Sequence, residues 1–108
     1  PNAELILCKG EKDSALEKLL ELAKQAQAEG RSVGLLLANE DMASFESACI
    51  PYPLGASNDL EALARNLYAG MRALYDQGVK FILTRDFGKQ GLGLAIHDRL
   101  LRAASQII

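Results

Sequence analysis

The sequence predicts an α/β fold, namely a three-layer sandwich in which helices cover both faces of a mostly parallel sheet of about five strands. Two observations carry this prediction. Apolar segments of strand length alternate with amphipathic segments of helical length along the 108 residues. In addition, residues 32–38 and 79–84 are largely apolar without strict alternation, which is typical of parallel strands covered on both faces.

The first half of the chain begins with a strand signal and continues with a helix. Ser14-x-x-Glu17 forms a capping box, which predicts that a helix begins there and continues until Gly30. Pro51 and Pro53 allow only a brief strand, at an edge of the sheet or interrupted. The elements predicted in this half are strands over 3–8, 32–38 and 50–55, a helix over 14–30 and a short, weak helix over 40–46.

The second half repeats this alternation. Asn58-x-x-Glu61 is a second capping signature, and apolar residues at helical spacing continue to about Gln77, where Gly78 is suited to end the helix. The elements predicted in this half are helices over 58–77 and 92–104, a buried strand over 79–84 and a terminal strand over 107–108. Residues 1–108 are therefore expected to form a single α/β domain with one core.

Composition and charge exclude several classes of function. The net charge is −2 and 24% of the residues are charged, which argues against a disordered chain and against a dedicated nucleic-acid-binding protein. No segment is long and apolar enough to span a bilayer, and no signal peptide opens the chain, so no membrane partner is expected. Cys8 and Cys49 have no metal or redox spacing and are expected to be buried and inert, which indicates a reducing, cytoplasmic location.

Two nucleotide-binding motifs are incomplete in this chain. Gly91-x-Gly93 resembles a dinucleotide fingerprint, but Ile96 stands where the third glycine is required. Gly88 and Gly93 have the spacing of a phosphate loop, but Leu94-Ala95 replaces its lysine and hydroxyl residue. These glycines therefore favour a tight strand-to-helix turn, with weak anion binding at the helix N-terminus as the alternative.

No catalytic residue and no metal site are predicted. His97 is the only histidine, and helical spacing places it at the margin of a core face formed by Leu92, Ile96, Leu100, Ala103 and Ala104. A packed or surface histidine is therefore favoured. Ser57, Asp86 and His97 occur in hydrolase order, but residues 55–59 lack the closing glycine of a nucleophile elbow.

A ligand site is expected where the strands end, because open parallel sheets bind ligands outside the carboxyl ends of their strands. The candidate ligand residues are Ser57, Asn58, Arg85, Asp86, Gly91 and Gly93.

Two helix surfaces are candidates for binding a partner. The long helix carries a cationic and aromatic face that is suited to RNA bases or to a protein, although a solvated face with an Arg72–Asp76 pair is the alternative. Its residues are Arg65, Tyr68, Arg72 and Tyr75. On the last helix, Leu94 and Leu101 project together away from the core face and are flanked by Asp98 and Arg102, which predicts a docking surface.

From Leu54 onward two separated motifs occur in order. The first is LGASNDLEALARNLYAGMRALYDQGVKFIL and the second is GLGLAIHDRLLRAAS. With these motifs the chain resembles the C-terminal domain of the two-domain threonylcarbamoyl-AMP synthases, the long relatives of the YrdC proteins. It departs from that family at His97 and Asp98, where a methionine-asparagine pair is common.

The resemblance implies a Rossmann-like fold and a parent enzyme, a nucleotidyltransferase, that condenses threonine, bicarbonate and ATP with Mg for threonylcarbamoyladenosine modification of tRNA. The ATP and threonine ligands of the family belong to an N-terminal YrdC-like catalytic domain, which is the expected partner. This chain, which starts at Pro1 directly before a strand, is then a piece of a longer polypeptide and has no cofactor or enzymatic activity of its own. It would dock on the catalytic domain and position the interdomain linker. The alternative is a nucleotide or tRNA sensing module with its site at the carboxyl ends of the strands.

Overall fold

The computed structural model describes residues 3–46 and 48–108, so Pro1, at which the chain was expected to open, lies outside the described residues. It contains one sheet of five parallel strands in the order β3-β2-β4-β1-β5. The strands are β1 (Glu4–Cys8), β2 (Val33–Leu37), β3 (Ile50–Pro53), β4 (Phe81–Arg85) and β5 (Gln106–Ile107). The helices are α1 (Lys12–Ala28), α2 (Leu60–Asp76) and α3 (Leu92–Ala103), with a 3₁₀ helix over Asn39–Ser44. The predicted α/β sandwich is confirmed.

Alternate residues of the central strands serve two separate cores. Leu5, Leu7 and Leu36 point to the face that α2 and α3 cover. Ile6 and Leu35 point to the opposite face, which α1 covers. The continuous apolar character of these strands follows from this arrangement, because neither face of the sheet is left to water.

The prolines of β3 are compatible with its position at one edge of the sheet. Ile50 to Pro53 pairs in parallel with β2 on one side only, so Pro51 and Pro53 are exposed and disrupt no second ladder. Of the two predicted possibilities, an edge strand or an interrupted one, the structure has the edge strand. The predicted short helix at 40–46 is instead the 3₁₀ helix.

Two predicted helix starts are shifted. Helix α1 begins at Lys12, because the Glu11 carboxylate accepts a hydrogen bond from the Ser14 backbone N–H at 3.2 Å and acts as the N-cap. Backbone hydrogen bonds from Asp13 and from Ser14 lower the pKa of Glu11. In α2 the cap is Asp59, whose carboxylate accepts from the Ala62 N–H at 3.1 Å, rather than Asn58. The acidic side chain nearest the first turn supplies the cap in both helices.

The core face of α3 is rotated from the predicted one. The helix starts after Gly91, whose φ of 56° sets the direction of the first turn. In this helix Gly93, Ile96, His97 and Leu100 are buried, whereas Leu92, predicted to lie in the core, is 43% exposed. His97 is therefore a core residue and not a marginal one.

Both cysteines are buried free thiols, and burial raises the pKa of Cys8 and of Cys49. They are thus protonated at neutral pH, as expected for inert cysteines. Among the described residues, none of the helices has the length and apolar content needed to cross a membrane.

Candidate functional site

The carboxyl ends of the strands enclose a shallow cleft of about 270 Å³. Chain connections leave this edge toward opposite faces of the sheet, since β1 leads to α1 on one face and β4 leads to α3 on the other. Such a divergence opens a crevice in parallel sheets. The cleft is lined by Gly10, Lys12, Ser57, Arg85, Asp86, Phe87 and Gly88. Three of the six predicted ligand residues, Ser57, Arg85 and Asp86, therefore lie together.

Arg85 is held by a buried ion pair. Its Nε lies 2.8 Å from Oδ2 of Asp41 and its Nη2 lies 3.3 Å from Oδ1, with side-chain exposures of 7% and 0%. Asp41 also accepts a hydrogen bond from the Ala38 N–H at 3.1 Å, and the guanidinium lies 4.4 Å from the ring centre of Phe87. The charge of Arg85 is thus compensated within the fold. The pair joins the end of β4 to the 3₁₀ helix after β2.

Ser57 is occupied in a similar way. Its hydroxyl donates to the Glu40 carboxylate, and its backbone N–H lies 3.0 Å and 3.1 Å from the two oxygens of that carboxylate. The hydrogen bond from the Ser57 side chain is the largest cause that lowers the pKa of Glu40. The Asn39 N–H also donates to the Gly55 carbonyl at 2.9 Å. The Ser57–Glu40 contact and this hydrogen bond together join the loops after β2 and β3. The hydroxyl of Ser57 is a structural donor in this geometry.

Asp86 and His97 form a buried pair of polar groups. Oδ2 of Asp86 lies 3.6 Å from Nδ1 of His97, and each residue is only 7% exposed. Neither atom has a hydrogen-bond partner within the part of the chain that the structure describes. Each is therefore the natural partner of the other, and the pair links the end of β4 to α3.

The other three predicted ligand residues do not line the cleft. Asn58 is exposed in the turn before α2. Gly91 precedes α3, and a Cβ at Gly93 would lie 3.0 Å from the carbonyl oxygen of Gly88. These two glycines thus allow the tight turn between β4 and α3, which agrees with the turn favoured by the sequence.

A second depression of about 460 Å³ lies between the C-terminal halves of α2 and α3. It is lined by Tyr68, Met71, Arg72, Tyr75, Asp76 and Ala103. Arg72 donates from Nη1 to the Tyr68 hydroxyl at 3.2 Å, and its Nε lies 3.8 Å from Asp76 Oδ1. Three of the four residues of the predicted RNA or partner face meet here, whereas Arg65 is exposed outside it.

The predicted docking surface on α3 is only partly exposed. Leu94 is 45% exposed. Leu101, however, is half-buried and packs against the core, so the expected pair of exposed leucines is wrong for Leu101. Leu92 is also exposed in the first turn, but residues two positions apart on a helix point to different sides, so it does not share a surface with Leu94. Arg102 is exposed at the end of the helix.

Asp41 is the structural residue that the sequence analysis missed. It is 2% exposed and lies 44 positions from Arg85. An acidic residue four positions after a buried strand is the only local signal, and it is weak. Among the described residues, no cluster of three histidine, cysteine or acidic side chains has the geometry of a metal site.

An all-parallel sheet with helices on both faces and a cleft at its carboxyl edge defines a Rossmann-like α/β domain. A family model described as "Threonylcarbamoyl-AMP synthase, C-terminal domain" matches residues 1–105. The chain belongs to this family, which confirms the resemblance seen in its sequence.

Known relatives agree with this assignment. The threonylcarbamoyl-AMP synthase of Bacillus subtilis is 36% identical over 104 residues, which are 96% of this chain and 29% of the relative. The structure of Sua5 from P. abyssi in complex with L-threonine has a TM-score of 0.84 at 32% identity and covers 99% of this chain and 30% of its own. The C-terminal Sua5 domain from Pyrococcus horikoshii has a TM-score of 0.73 at 30% identity and covers 100% of this chain and 97% of its own. The chain thus spans less than a third of the length of its curated relatives.

Proposed function

We propose that this chain is the accessory domain of a threonylcarbamoyl-AMP synthase, a nucleotidyltransferase whose N-terminal YrdC-like catalytic domain condenses threonine, bicarbonate and ATP with Mg in the cytoplasm. The product would serve threonylcarbamoyladenosine modification of tRNA. The family match over residues 1–105, together with relatives more than three times as long, supports this proposal. In it the present domain supplies no catalytic residue and no cofactor ligand.

The cleft at the carboxyl edge fits ATP poorly. A triphosphate requires several cationic or N–H donors. Arg85 is neutralised by Asp41, and Asp86 adds a carboxylate to the lining, which leaves Lys12 as the exposed cation of the cleft. We therefore assign ATP to the catalytic domain.

The role we propose is to dock on the catalytic domain and to position the linker between the two domains. The observation that carries this role is Leu94, which is 45% exposed on a helix whose other face lies in the core. A contact with the catalytic domain would remove its apolar surface from water. Arg102, exposed two turns away, would contribute a polar contact at the rim.

The test is Leu94→Asp in the full-length enzyme. A carboxylate in a desolvated contact should weaken docking, and we expect formation of threonylcarbamoyl-AMP to fall by about tenfold or more. Ile107→Asp is the matched control, because Ile107 is 44% exposed on β5. Domain contact is measured by cross-linking in the same samples. Unchanged activity together with unchanged cross-linking in Leu94→Asp would refute the docking role.

A second candidate is a nucleotide or tRNA sensing module. It is favoured by the cleft that brings Ser57, Arg85 and Asp86 together and, for tRNA, by the exposed Tyr68 beside Arg72. Calorimetric titration of the full-length protein and of its Arg72→Ala and Lys12→Ala variants with ATP and with tRNA, at several salt concentrations, distinguishes the two roles. Binding that weakens with salt and with either substitution would favour sensing. Heat that neither substitution changes would assign the binding to the catalytic domain.

A further inference from the structure

Two depressions lie one after the other between α2 and α3. The 460 Å³ depression that includes Tyr68 and Ala103 is nearer the amino edge, the edge of the sheet where the strands begin. A further groove of about 160 Å³ is lined by Ala64, Leu67, Ala95, Ile96 and Arg99. We call the two together the α2–α3 furrow. Leu92, at the start of α3, lies on the same side of that helix as the lining residues of the second groove.

The chain enters the domain at one mouth of this furrow. A helix that connects two parallel strands runs antiparallel to them, so α2 and α3 both end at the edge of the sheet where β1 begins. Ser105, two positions after the end of α3, donates its backbone N–H to the Leu5 carbonyl in β1 at 2.8 Å, so the end of α3 lies beside the start of β1. Any polypeptide that precedes this domain therefore arrives beside the amino-edge mouth of the furrow.

The lining of the furrow is suited to an extended peptide. Alanines 64, 95 and 103 leave room between the helices, and Leu67, Met71 and Ile96 provide an apolar floor. Along the rim Tyr68 is 58% exposed and presents a hydroxyl beside Arg72. Arg99 lies on the rim of the other half. Apolar pockets with hydrogen-bonding side chains at their margin recognise short peptide segments.

The length of the furrow fixes the length of its occupant. Helix α3 has 12 residues, which at about 1.5 Å per residue gives about 18 Å. An extended chain covers that distance with about five or six residues at about 3.3 Å each.

We propose that the α2–α3 furrow holds the last residues of the interdomain linker, about five or six residues immediately upstream of Pro1 in the parent enzyme. This inference rests on the proposed function, because it requires a catalytic domain that precedes the chain. The bound linker runs from Leu92 to the amino-edge mouth. It thereby connects the start of α3 to the start of β1 and is held against this domain.

The experiment is limited proteolysis of the linker in the full-length enzyme. Ala103→Arg places a long side chain in the mouth of the furrow, and we expect the cleavage rate of the upstream residues to rise by about tenfold or more as local protection is lost. Tyr68→Ala removes one rim and is expected to raise the rate by about threefold. Ala28→Arg is the matched control, because Ala28 is likewise the last residue of its helix, is exposed and lies on α1 across the sheet.

The outcomes separate this inference from the proposed function. Faster cleavage in both furrow variants but not in Ala28→Arg supports the furrow as the linker site. Equal cleavage rates in all four proteins would overturn it, as would a linker that is cleaved as fast in the wild type as in urea. If Leu94→Asp lowers activity while Ala103→Arg and Tyr68→Ala leave the linker protected, docking stands and the furrow assignment is wrong. Since Tyr68 is largely exposed, Tyr68→Ala keeps the fold even if Ala103→Arg does not.

Discussion

The two candidate surfaces of this domain differ in how many of their side chains already have partners within the fold. At the carboxyl edge of the sheet, Arg85 is paired with Asp41, and Ser57 is bonded to Glu40. Along α2 and α3, in contrast, Tyr68, Leu92 and Leu94 remain exposed to water. The first surface has the shape of a ligand site, but its Arg85 and Ser57 side chains already have partners, which leaves Lys12 and the buried Asp86–His97 pair. The second surface exposes apolar side chains that a partner would remove from water.

Strand order alone therefore does not identify the functional surface of a parallel α/β domain. The crevice at the carboxyl edge follows from the strand order and exists whether or not a ligand uses it. In this chain its polar side chains fasten the loops after β2, β3 and β4 to one another. We therefore place the proposed binding surface of the domain on its helices.

The largest expected effect comes from breaking the ion pair at the carboxyl edge. Arg85→Ala leaves the fully buried carboxylate of Asp41 without its partner, so we expect the free energy of unfolding to fall by about 3–5 kcal/mol. Urea denaturation measures it. The double variant Asp41→Ala/Arg85→Ala should lose less than the sum of the two single variants, because it leaves no unpaired charge. A loss below about 1 kcal/mol in Arg85→Ala would show that the ion pair contributes little to stability. The Arg85 guanidinium would then be available to bind a ligand in the cleft.

A smaller effect is expected where α2 approaches the sheet. A Cβ at Gly70 would lie 2.6 Å from Leu36 Cδ1 and 2.7 Å from Tyr52 Cδ1. We therefore expect Gly70→Ala to destabilise the domain by about 1–3 kcal/mol in thermal or urea unfolding, although alanine is the better helix former. Ala69→Gly, at the exposed neighbouring position, should cost only about 1 kcal/mol of helix propensity. A more stable Gly70→Ala would mean that α2 can move, and that the wall of the furrow is not fixed.

The smallest effect concerns the pH dependence of the loop contact at Glu40. The Ser57 hydrogen bonds hold the pKa of Glu40 below its ordinary value of 4.5. The contact therefore stabilises the fold above that pH, and its contribution is lost as the pH falls further. In Ser57→Ala the pKa of Glu40 should rise toward 4.5 in an NMR titration of its side-chain carboxyl carbon, whereas Ser44→Ala should leave it unchanged. Identical titration curves in all three proteins would contradict the structural role of Ser57.

Most of the fold was predictable from the sequence because buried parallel strands and amphipathic helices leave strong periodic signals. Pro51 and Pro53 limited β3 to an edge strand or an interrupted one, and it lies at the edge. The starts of α1 and α2 are among the errors. Glu11 and Asp59 supply caps that compete with the nearby serine and asparagine, and sequence alone does not decide between adjacent capping residues.

The candidate sites were predictable only in part. The position of the cleft at the carboxyl edge followed from topology. The exposure of Leu94 was also predicted correctly. The pairing of Arg85 with Asp41 joins residues 44 positions apart, for which helical or strand periodicity carries no information. The rotation of α3 that buries His97 and exposes Leu92 is set by how the helix packs on the sheet, and the spacing of its apolar residues left that rotation open by about one position.

The most direct test of the account is hydroxyl-radical footprinting of the full-length enzyme against the 108-residue chain. We predict that Tyr68 and Leu94 are oxidised several times more slowly in the full-length protein, because the linker and the catalytic domain cover them, while Phe87 in the carboxyl-edge cleft reacts equally in both. Equal oxidation of Tyr68 and Leu94 in the two proteins, or protection confined to Phe87, would contradict the claim that the helical surface is where this domain binds its partner.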